Sequence, residues 1–279
     1  MQTGICRPVA SRLGAAGITA SLLAAALIST TLTSPPARAE TAQEKGLAIA
    51  VEAERRDSGW GDSRAAMLMV LKNRQGDESV REVRVRSLEV EGDGDKSLSI
   101  FDQPRDVKGT AFLSFSHATR PDDQWLYLPA LKRVKRISSR NKSGPFMGSE
   151  FAYEDISSQE VEKYRYKHLR DEQLDGRDVF VVERYPEYEN SGYTRQVAWI
   201  DAERYIPLKV DFYDRKDSLL KTLSYSDYRQ YLDRYWRADS MLMVNHQNGK
   251  STRLDWSDYQ FGTGLQERDF DKNALKRLR

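Results

Sequence analysis

Thirteen short runs with apolar residues at alternate positions follow one another through the chain, and this pattern constrains the fold more than any other feature. A period of two is typical of a β-strand, because successive side chains point to opposite faces of a sheet. Turn-forming residues separate the runs, and no long helical pattern alternates with them, which favours an antiparallel sheet over a parallel α/β sheet. The runs cover residues 66–73, 81–90, 97–101, 110–116, 124–128, 131–137, 163–169, 178–185, 193–200, 206–213, 218–228, 236–246 and 251–260.

Several of these runs are apolar on both faces. In residues 124–128, Trp125 and Tyr127 share one face of the strand, while Leu126 and Leu128 share the other. Such a strand has to be covered on both sides, because exposed apolar surface is unfavourable in water. The pattern therefore predicts a sheet that has packing partners against both of its faces.

Helices that could provide this cover are scarce. Residues 41–56 carry apolar positions near helical spacing, and Thr41 with Glu44 forms a capping box at their start. A second, short helix is expected near residues 273–278. A sheet that curls around its own apolar face solves the shortage, and its interior is then either a cavity or an ordinary filled core. The predicted fold is mainly β (α+β), with a single strongly curved antiparallel sheet.

Residues 1–39 are typical of a secretory signal peptide. Arg7 and Arg12 precede an apolar segment at residues 13–32, and the segment is followed by an A-x-A cleavage site that ends at Ala39. We expect cleavage after Ala39 by a Sec-type pathway. A retained membrane anchor is the alternative, since about 20 apolar residues can span a bilayer.

Residues 40–279 are expected to form a single domain with a near-neutral charge. Residues 1–39 hold three of the 44 basic residues and none of the acidic ones, so 41 basic and 42 acidic residues remain. This balance excludes a protein that binds nucleic acid through bulk positive charge. The one cysteine, Cys6, lies in the leader, so the predicted mature chain has no disulfide and no thiol chemistry.

The sequence offers little support for catalysis or for a metal site. Its three histidines, His117, His168 and His246, are far apart and have no partner at a zinc-binding spacing. A nucleophile elbow and a phosphate-binding loop are both missing from the sequence. We therefore expect a protein that is not an enzyme and that uses no cofactor and no metal ion.

Six positive charges fall within the twelve residues 131–142. Lys132 and Arg136 share one face of the predicted strand, and Arg133 and Lys135 share the other. Since an unpaired charge is costly to bury, this strand is expected at an edge or rim of the sheet. It is either a basic rim that contacts an anionic headgroup or an acidic partner, or a solvated edge that its charges protect against aggregation.

The next segment, residues 143–153, is a loop with Gly and Pro at its start and large apolar side chains along it. Phe146, Met147, Phe151 and Tyr153 all require something to pack against. They either seal the core permanently or act as a movable lid over a pocket.

Four stretches resemble the LolA-like family of outer membrane lipoprotein-sorting proteins. The longest are residues 123–137, with the sequence DQWLYLPALKRVKRI, and residues 101–110, with FDQPRDVKGT. Residues 146–151 match as FMGSEF together with YED at 153–155, and residues 212–214, followed by Leu220 and Lys221, match more weakly. The resemblance covers essentially the whole chain after the leader. It implies an incomplete β-barrel that is closed by an N-terminal helix and by lid loops or short helices.

In function, the resemblance implies a periplasmic carrier that shields the acyl chains of a lipid or lipoprotein in a hydrophobic cavity, for transfer between the inner and outer membranes. Besides those acyl chains, the implied partners are an RND-type inner-membrane exporter and an outer-membrane acceptor. The alternative is a periplasmic sensor or regulatory partner of a membrane protein that responds to lipid or lipoprotein binding.

Large side chains on the two-sided strands and on the apolar loop are the expected lining of such a cavity. They are Trp125, Tyr127, Phe146, Met147, Phe151, Trp199, Phe212 and Met243. The expected contacts with a headgroup or a partner come from Lys132, Arg133, Lys135 and Arg136.

Overall fold

The computed structural model of the 279-residue chain describes residues 40–277. The predicted signal peptide, residues 1–39, lies outside the described residues. Within the described part, the model contains no helix that is both long enough and apolar enough to cross a membrane.

Thirteen strands form one antiparallel sheet in residues 40–277, and the order of these strands makes two meanders. The first meander contains β1 (Asp62–Lys72), β2 (Glu78–Leu88), β3 (Lys96–Gln103), β4 (Ala111–Phe115), β5 (Asp123–Leu128) and β6 (Arg133–Ile137). The second contains β7 (Tyr164–Leu174), β8 (Arg177–Pro186), β9 (Tyr193–Asp201), β10 (Pro207–Asp214), β11 (Leu219–Tyr231), β12 (Tyr235–Asn245) and β13 (Ser251–Phe261). β1 pairs with β13 in the middle, which leaves β6 and β7 as the two edges of an unclosed sheet.

The predicted strands are confirmed, since each of the thirteen runs overlaps one observed strand. Tight turns join neighbours where the sequence indicates them. Asp175 and Gly176, between β7 and β8, both have positive φ angles of 50° and 78°, as a two-residue hairpin turn requires. The basic run of the sequence forms β6, so its predicted position at an edge is also confirmed.

The helix α1 (Ala42–Asp57) precedes the sheet. The predicted capping box is present, because the Thr41 hydroxyl accepts a hydrogen bond from the Glu44 main-chain N–H and the Glu44 carboxylate accepts one from the Thr41 main-chain N–H. α1 packs mainly on the edge strand β7, and at Gly46 the two main chains are so close that a Cβ atom would lie 2.7 Å from the His168 nitrogen. Glycine is therefore required at this contact.

The sheet is strongly curved. In the connection between β6 and β7, the main-chain oxygen of Tyr153 accepts a hydrogen bond from Gln124 of β5, while Asp155 pairs with Lys221 of β11. β5 and β11 are seven positions apart in the sheet, a separation of about 33 Å if the sheet were flat. Two residues of one segment reach both strands only because the sheet curls toward them. We call the face that this segment contacts the inner face.

The outer face of the first meander is covered by the C-terminal segment. Leu265, Phe270 and Leu275 follow β13 and pack on Leu98, Ile100, Ala111 and Leu113 of β3 and β4. The segment contains the 3-10 turns Glu267–Phe270 and Leu275–Arg277, and the second of them lies where the sequence predicts a short helix, near residues 273–278. The two-sided strands of this meander thus have packing partners on both faces, as predicted.

Candidate functional site

The chain between the two edges of the sheet crosses the inner face. Residues 138–163 lead from β6 to β7 and contain four short 3-10 turns. Residues 143–156 of this connection, here called the plug, carry the apolar loop identified in the sequence. Pro145 and Ala152 form an isolated antiparallel β-bridge, which closes the loop on itself.

The plug fills one part of the interior. Phe146 and Phe151 are each 1% exposed and belong to the largest apolar cluster of residues 40–277. The centre of the Phe146 ring lies 5.0 Å from that of Phe112 on β4 and 6.1 Å from that of Phe101 on β3. Fully buried rings in contact with one another are typical of a filled core, which favours the sealing role of the loop over the lid role.

A buried ion pair fixes the plug to the second meander. The carboxylate of Asp155 lies 2.6 Å from Nζ of Lys221 on β11, and each side chain is 4% exposed. The same carboxylate accepts a hydrogen bond from the Tyr193 hydroxyl on β9 at 2.9 Å, and Lys221 donates another to the Glu150 main-chain oxygen at 2.8 Å. Separating two charges at this depth is costly, so the plug is held firmly in place.

A cavity of about 1660 Å³ occupies the neighbouring part of the inner face, beside α1 and next to the plugged core. It exceeds the roughly 300–1,000 Å³ of common small-molecule pockets. Its wall takes side chains from α1 and from every strand of the second meander. Prominent among them are Ala53, Tyr166, Val182, Tyr225, Met241 and Trp256.

Carboxyl groups lie at one end of this cavity and have unusual proton affinities. Burial, together with the neighbouring charges of Glu160 and Glu89, raises the pKa of Asp95 to about 7. Burial also raises the pKa of Glu160, whose Oε1 has no hydrogen-bond partner among the described residues.

Asp93 lies in the same turn as Asp95, but its pKa is lowered rather than raised. Burial alone would raise its pKa, but hydrogen bonds from His117 and from the Ala118 main chain lower it to about 2.

The eight side chains expected to line a cavity lie in three separate places. Phe146, Met147 and Phe151 in the plug, with Phe212 and Met243 on the strands beneath it, belong to the apolar cluster or pack against it. Trp125 and Tyr127 face outward and pack in the cluster that contains the C-terminal segment. Trp199 also lies on the outer face, in a small cluster with Val179, Val181 and Val197. In the described part of the chain, the wall of the 1660 Å³ cavity is formed by other residues.

The basic strand β6 carries exposed cations on both faces. Arg133 pairs across the strands with Leu128 and Lys135 with Leu126, whereas Arg136 pairs with Trp125 on the outer face. Arg136 also forms an ion pair with Asp123. Lys132 lies at the turn just before the strand, with a positive φ of 48°.

The three histidines are far from one another and each has a nearby polar partner. His117 Nδ1 lies 2.7 Å from Asp93, His168 Nε2 lies 2.6 Å from Asp171, and His246 Nε2 lies 2.8 Å from the Thr222 hydroxyl. Across residues 40–277, no group of three or more His, Cys, Asp or Glu side chains is arranged to hold a metal ion.

Sequence reasoning missed the residues that form the cavity wall. Tyr225 and Met241 pair directly across β11 and β12, and both follow the period-two pattern of their strands. That pattern shows that such residues share a face with their neighbours. It does not show which part of the inner face the plug fills and which part stays open, because that depends on contacts between distant segments.

Comparison with known proteins identifies a family model and several solved structures that are similar to this chain. A model described as that of an uncharacterized protein matches residues 93–277. A domain assigned to outer membrane lipoprotein-sorting proteins, from Vibrio parahaemolyticus, is 68% identical with a TM-score of 0.83, and the match covers 84% of this chain and 100% of that one. A DUF1329 family protein from Desulfovibrio piger is 33% identical with a TM-score of 0.80, over 84% of this chain and 99% of that one.

A LolA superfamily protein from Nitrosomonas europaea shares the fold, with 22% identity and a TM-score of 0.66 over 84% of this chain and 98% of that one. No functionally curated protein matches the sequence.

Proposed function

This chain belongs to the family of LolA-like outer membrane lipoprotein-sorting proteins, and from that premise we propose that it is a periplasmic carrier of acyl chains. It shields the hydrocarbon of a lipid or lipoprotein during transfer between the inner and outer membranes. The observation that carries this proposal is the 1660 Å³ cavity between α1 and the second meander. The fold itself is shared with the Vibrio parahaemolyticus lipoprotein-sorting domain and with the LolA superfamily protein.

The energetics of acyl-chain burial support a carrier. Each buried CH₂ group contributes about 0.8 kcal/mol, so a chain of about 16 carbons gains roughly 12 kcal/mol before any cost is counted. Such a chain is poorly soluble in water and needs a covered path between membranes. The cavity wall offers aromatic and aliphatic side chains on one side and α1 on the other.

The cargo is proposed to enter the cavity without displacing the plug. The Asp155–Lys221 ion pair and the buried Phe146 and Phe151 hold the plug against the sheet, whereas the neighbouring volume is already open. The lining roles of Phe146, Met147 and Phe151 stay predictions that require the plug to move.

Transfer requires a donor and an acceptor. We propose an RND-type inner-membrane exporter as the donor and an outer-membrane protein as the acceptor, with the exposed cations of β6 as the surface that contacts an anionic headgroup or an acidic partner. Lys132, Arg133 and Lys135 are exposed at the free edge of the sheet, where a partner can reach them.

Mass spectrometry of an organic extract from protein purified out of the periplasm tests the proposal directly. We expect co-purifying lipid or acylated molecules. Their absence, together with a failure of the purified protein to take up an apolar dye, contradicts the carrier function. A ligand that changes the affinity for a membrane partner, but is never handed over, identifies a sensor instead.

A matched pair of variants locates the cargo. Ala53→Trp introduces a large ring on the side of α1 that lines the cavity, and Ala48→Trp introduces the same ring at an exposed position of the same helix. We expect Ala53→Trp to lower acyl-chain binding at least tenfold and Ala48→Trp to leave it unchanged. Equal binding by both variants places the cargo elsewhere.

A further inference from the structure

One cation on the cavity wall lies in the middle of the sheet rather than in a turn or at a strand end. Arg184 on β8 lines the cavity and is half-buried. Its cross-strand neighbours are Tyr166 on β7 and Gln196 on β9, so all three share the inner face. The Nε of Arg184 donates a hydrogen bond at 2.6 Å to the side-chain oxygen of Gln196, which is 2% exposed. This bond fixes the guanidinium and leaves its two terminal nitrogens directed away from that contact.

Arg184 has no counter-ion in the described structure. Among the other arginines of the cavity wall, Arg237 pairs with Asp57, and both Arg55 and Arg56 pair with Glu52. Two more lie outside the strands, where Arg234 donates to the Arg55 main-chain oxygen and Arg204 stacks on Trp236. Within residues 40–277, no carboxylate oxygen lies within 4.0 Å of the Arg184 guanidinium. A partly desolvated cation without an anionic partner is unfavourable, so its presence on the cavity wall calls for a compensating ligand group.

Tyrosine hydroxyls surround Arg184, while the carboxylates of Glu54 and Glu162 on the same cavity wall act on its neighbour Tyr166. Its guanidinium lies 5.1 Å from the centre of the Tyr164 ring, and its charge also acts on the hydroxyls of Tyr166 and Tyr225. Burial raises the pKa of Tyr225 to about 12 even against that charge, so this hydroxyl stays protonated and able to donate. A guanidinium fork with neighbouring hydroxyls is a suitable site for the paired oxygens of a carboxylate or phosphate.

We propose that Arg184 binds the anionic headgroup of the acyl ligand, so that the cavity selects acidic amphiphiles over neutral ones. The inference rests on the proposed function, because it takes an acyl chain to be the occupant of the cavity. The hydrocarbon contacts the apolar wall, and the carboxylate or phosphate pairs with the terminal nitrogens of Arg184. The acidic residues at the end of the cavity, Asp95 and Glu160, disfavour the opposite orientation of an anionic ligand.

Displacement of the uncharged dye N-phenyl-1-naphthylamine tests this selectivity on the purified full-length mature protein. The competitors are palmitate, 1-palmitoyl-lysophosphatidate and methyl palmitate, which share one acyl chain and differ in the headgroup. We expect at least one acidic ligand to bind about tenfold or more tightly than methyl palmitate, since hydrogen bonds to charged groups contribute this much. The tighter of the two acids identifies a carboxylate or a phosphate as the preferred group.

The variant Arg184→Gln is expected to remove the preference for the acid and to leave methyl palmitate binding unchanged. Arg184→Lys keeps the charge but loses the fork, so an intermediate preference is expected and serves as the test if Arg184→Gln fails to fold. The matched control is Arg165→Gln, which removes an exposed cation of the adjacent strand β7 that pairs with Glu187 and lies outside the cavity wall. That variant is expected to behave like the wild type.

The outcomes separate this inference from the proposed function. Equal binding of acid and ester by the wild type, or a preference that survives in Arg184→Gln, overturns the role of Arg184 while the cavity assignment stands. Failure of all three ligands to displace a bound dye overturns the acyl-chain cavity and the role of Arg184 together.

Discussion

The plug and the cavity occupy the same inner face, but the protein fills only one of them with its own side chains. Around the plug, Phe146 and Phe151 complete a core that a buried ion pair fastens to the sheet. Beside α1, aromatic and aliphatic side chains of the second meander face an open volume of about 1660 Å³. A curled sheet of thirteen strands encloses more space than one connecting segment can fill, so the difference shows where the fold leaves room for a guest.

The largest expected effect follows from removal of the ion that fastens the plug. Lys221→Met leaves the Asp155 carboxylate buried without its cation, and we expect the free energy of unfolding to fall by about 3–5 kcal/mol. Urea denaturation measures this loss. Lys45→Met is the control, because it breaks an exposed pair with Asp171 at 3.0 Å and should cost less than about 1 kcal/mol. Similar costs for the two variants show that the plug is not held as the structure indicates.

Truncation of an apolar side chain is expected to affect mainly stability in the plug and mainly acyl-chain binding on the cavity wall. Phe146→Ala in the plug is expected to lower the free energy of unfolding by about 3–5 kcal/mol, because it opens a void in a filled core. Met241→Ala on the cavity wall is expected to cost less, since that side chain is half-buried, and to weaken acyl-chain binding instead. Denaturation curves measure the free energy of unfolding of both variants, and dye displacement measures their affinity for an acyl chain. Strong loss of binding with little loss of stability in Phe146→Ala would restore the lid role.

The carboxyl group of Asp95, at the acidic end of the cavity, has a smaller effect on the free energy of unfolding, and this effect depends on pH. The folded-state pKa of Asp95 is about 7, above its ordinary value of 3.8, so between these pH values the folded chain holds more protons than the unfolded chain. Stability therefore falls as pH rises through this window. Asp95→Asn should remove this loss and raise the free energy of unfolding at pH 8 by about 1 kcal/mol, as measured by urea titrations at pH 5 and pH 8.

Asp93→Asn, in the same turn, is the control, because its effect on stability is expected to have the opposite sign to that of Asp95→Asn. The folded-state pKa of Asp93 is lowered to about 2, so its contribution to stability is present at neutral pH and is lost as pH falls toward 2. This variant should be less stable than the wild type at pH 8, by a small amount because the carboxylate is exposed. A shift of the same sign in both variants contradicts the assignment.

The smallest expected effect on stability is at the edge strand. Arg133→Glu with Lys135→Glu changes exposed charges, so the free energy of unfolding should change by less than about 0.5 kcal/mol. Flotation with vesicles of phosphatidylglycerol and phosphatidylethanolamine at low salt should show weaker association if β6 contacts anionic headgroups. Lys216→Glu with Lys250→Glu makes the same change in net charge at two other exposed sites. Equal association by the two double variants identifies β6 as a solvated edge.

Much of the fold is predictable from the sequence because its signals are local. Period-two runs marked all thirteen strands, the capping box marked the start of α1, and six close cations placed β6 at an edge. The two-sided run at residues 124–128 correctly indicated cover on both faces, with Leu126 inside and Trp125 outside. Each of these inferences needs only the geometry of one strand or helix and the cost of burying charge or exposing apolar surface.

The site depended on information that no single segment contains. The sequence identified Phe146 and Phe151 as side chains in need of partners, but their packing on Phe101 and Phe112 and the ion pair of Asp155 with Lys221 join residues far apart in the chain. The alternation of apolar residues predicts that Tyr225 and Met241 share a face with their neighbours. It does not predict whether that face packs against the plug or lines an open volume. The chain alone determined strands, faces and charged edges, while the curvature of the sheet and the path of one connection decided which interior surface is filled and which is free to bind.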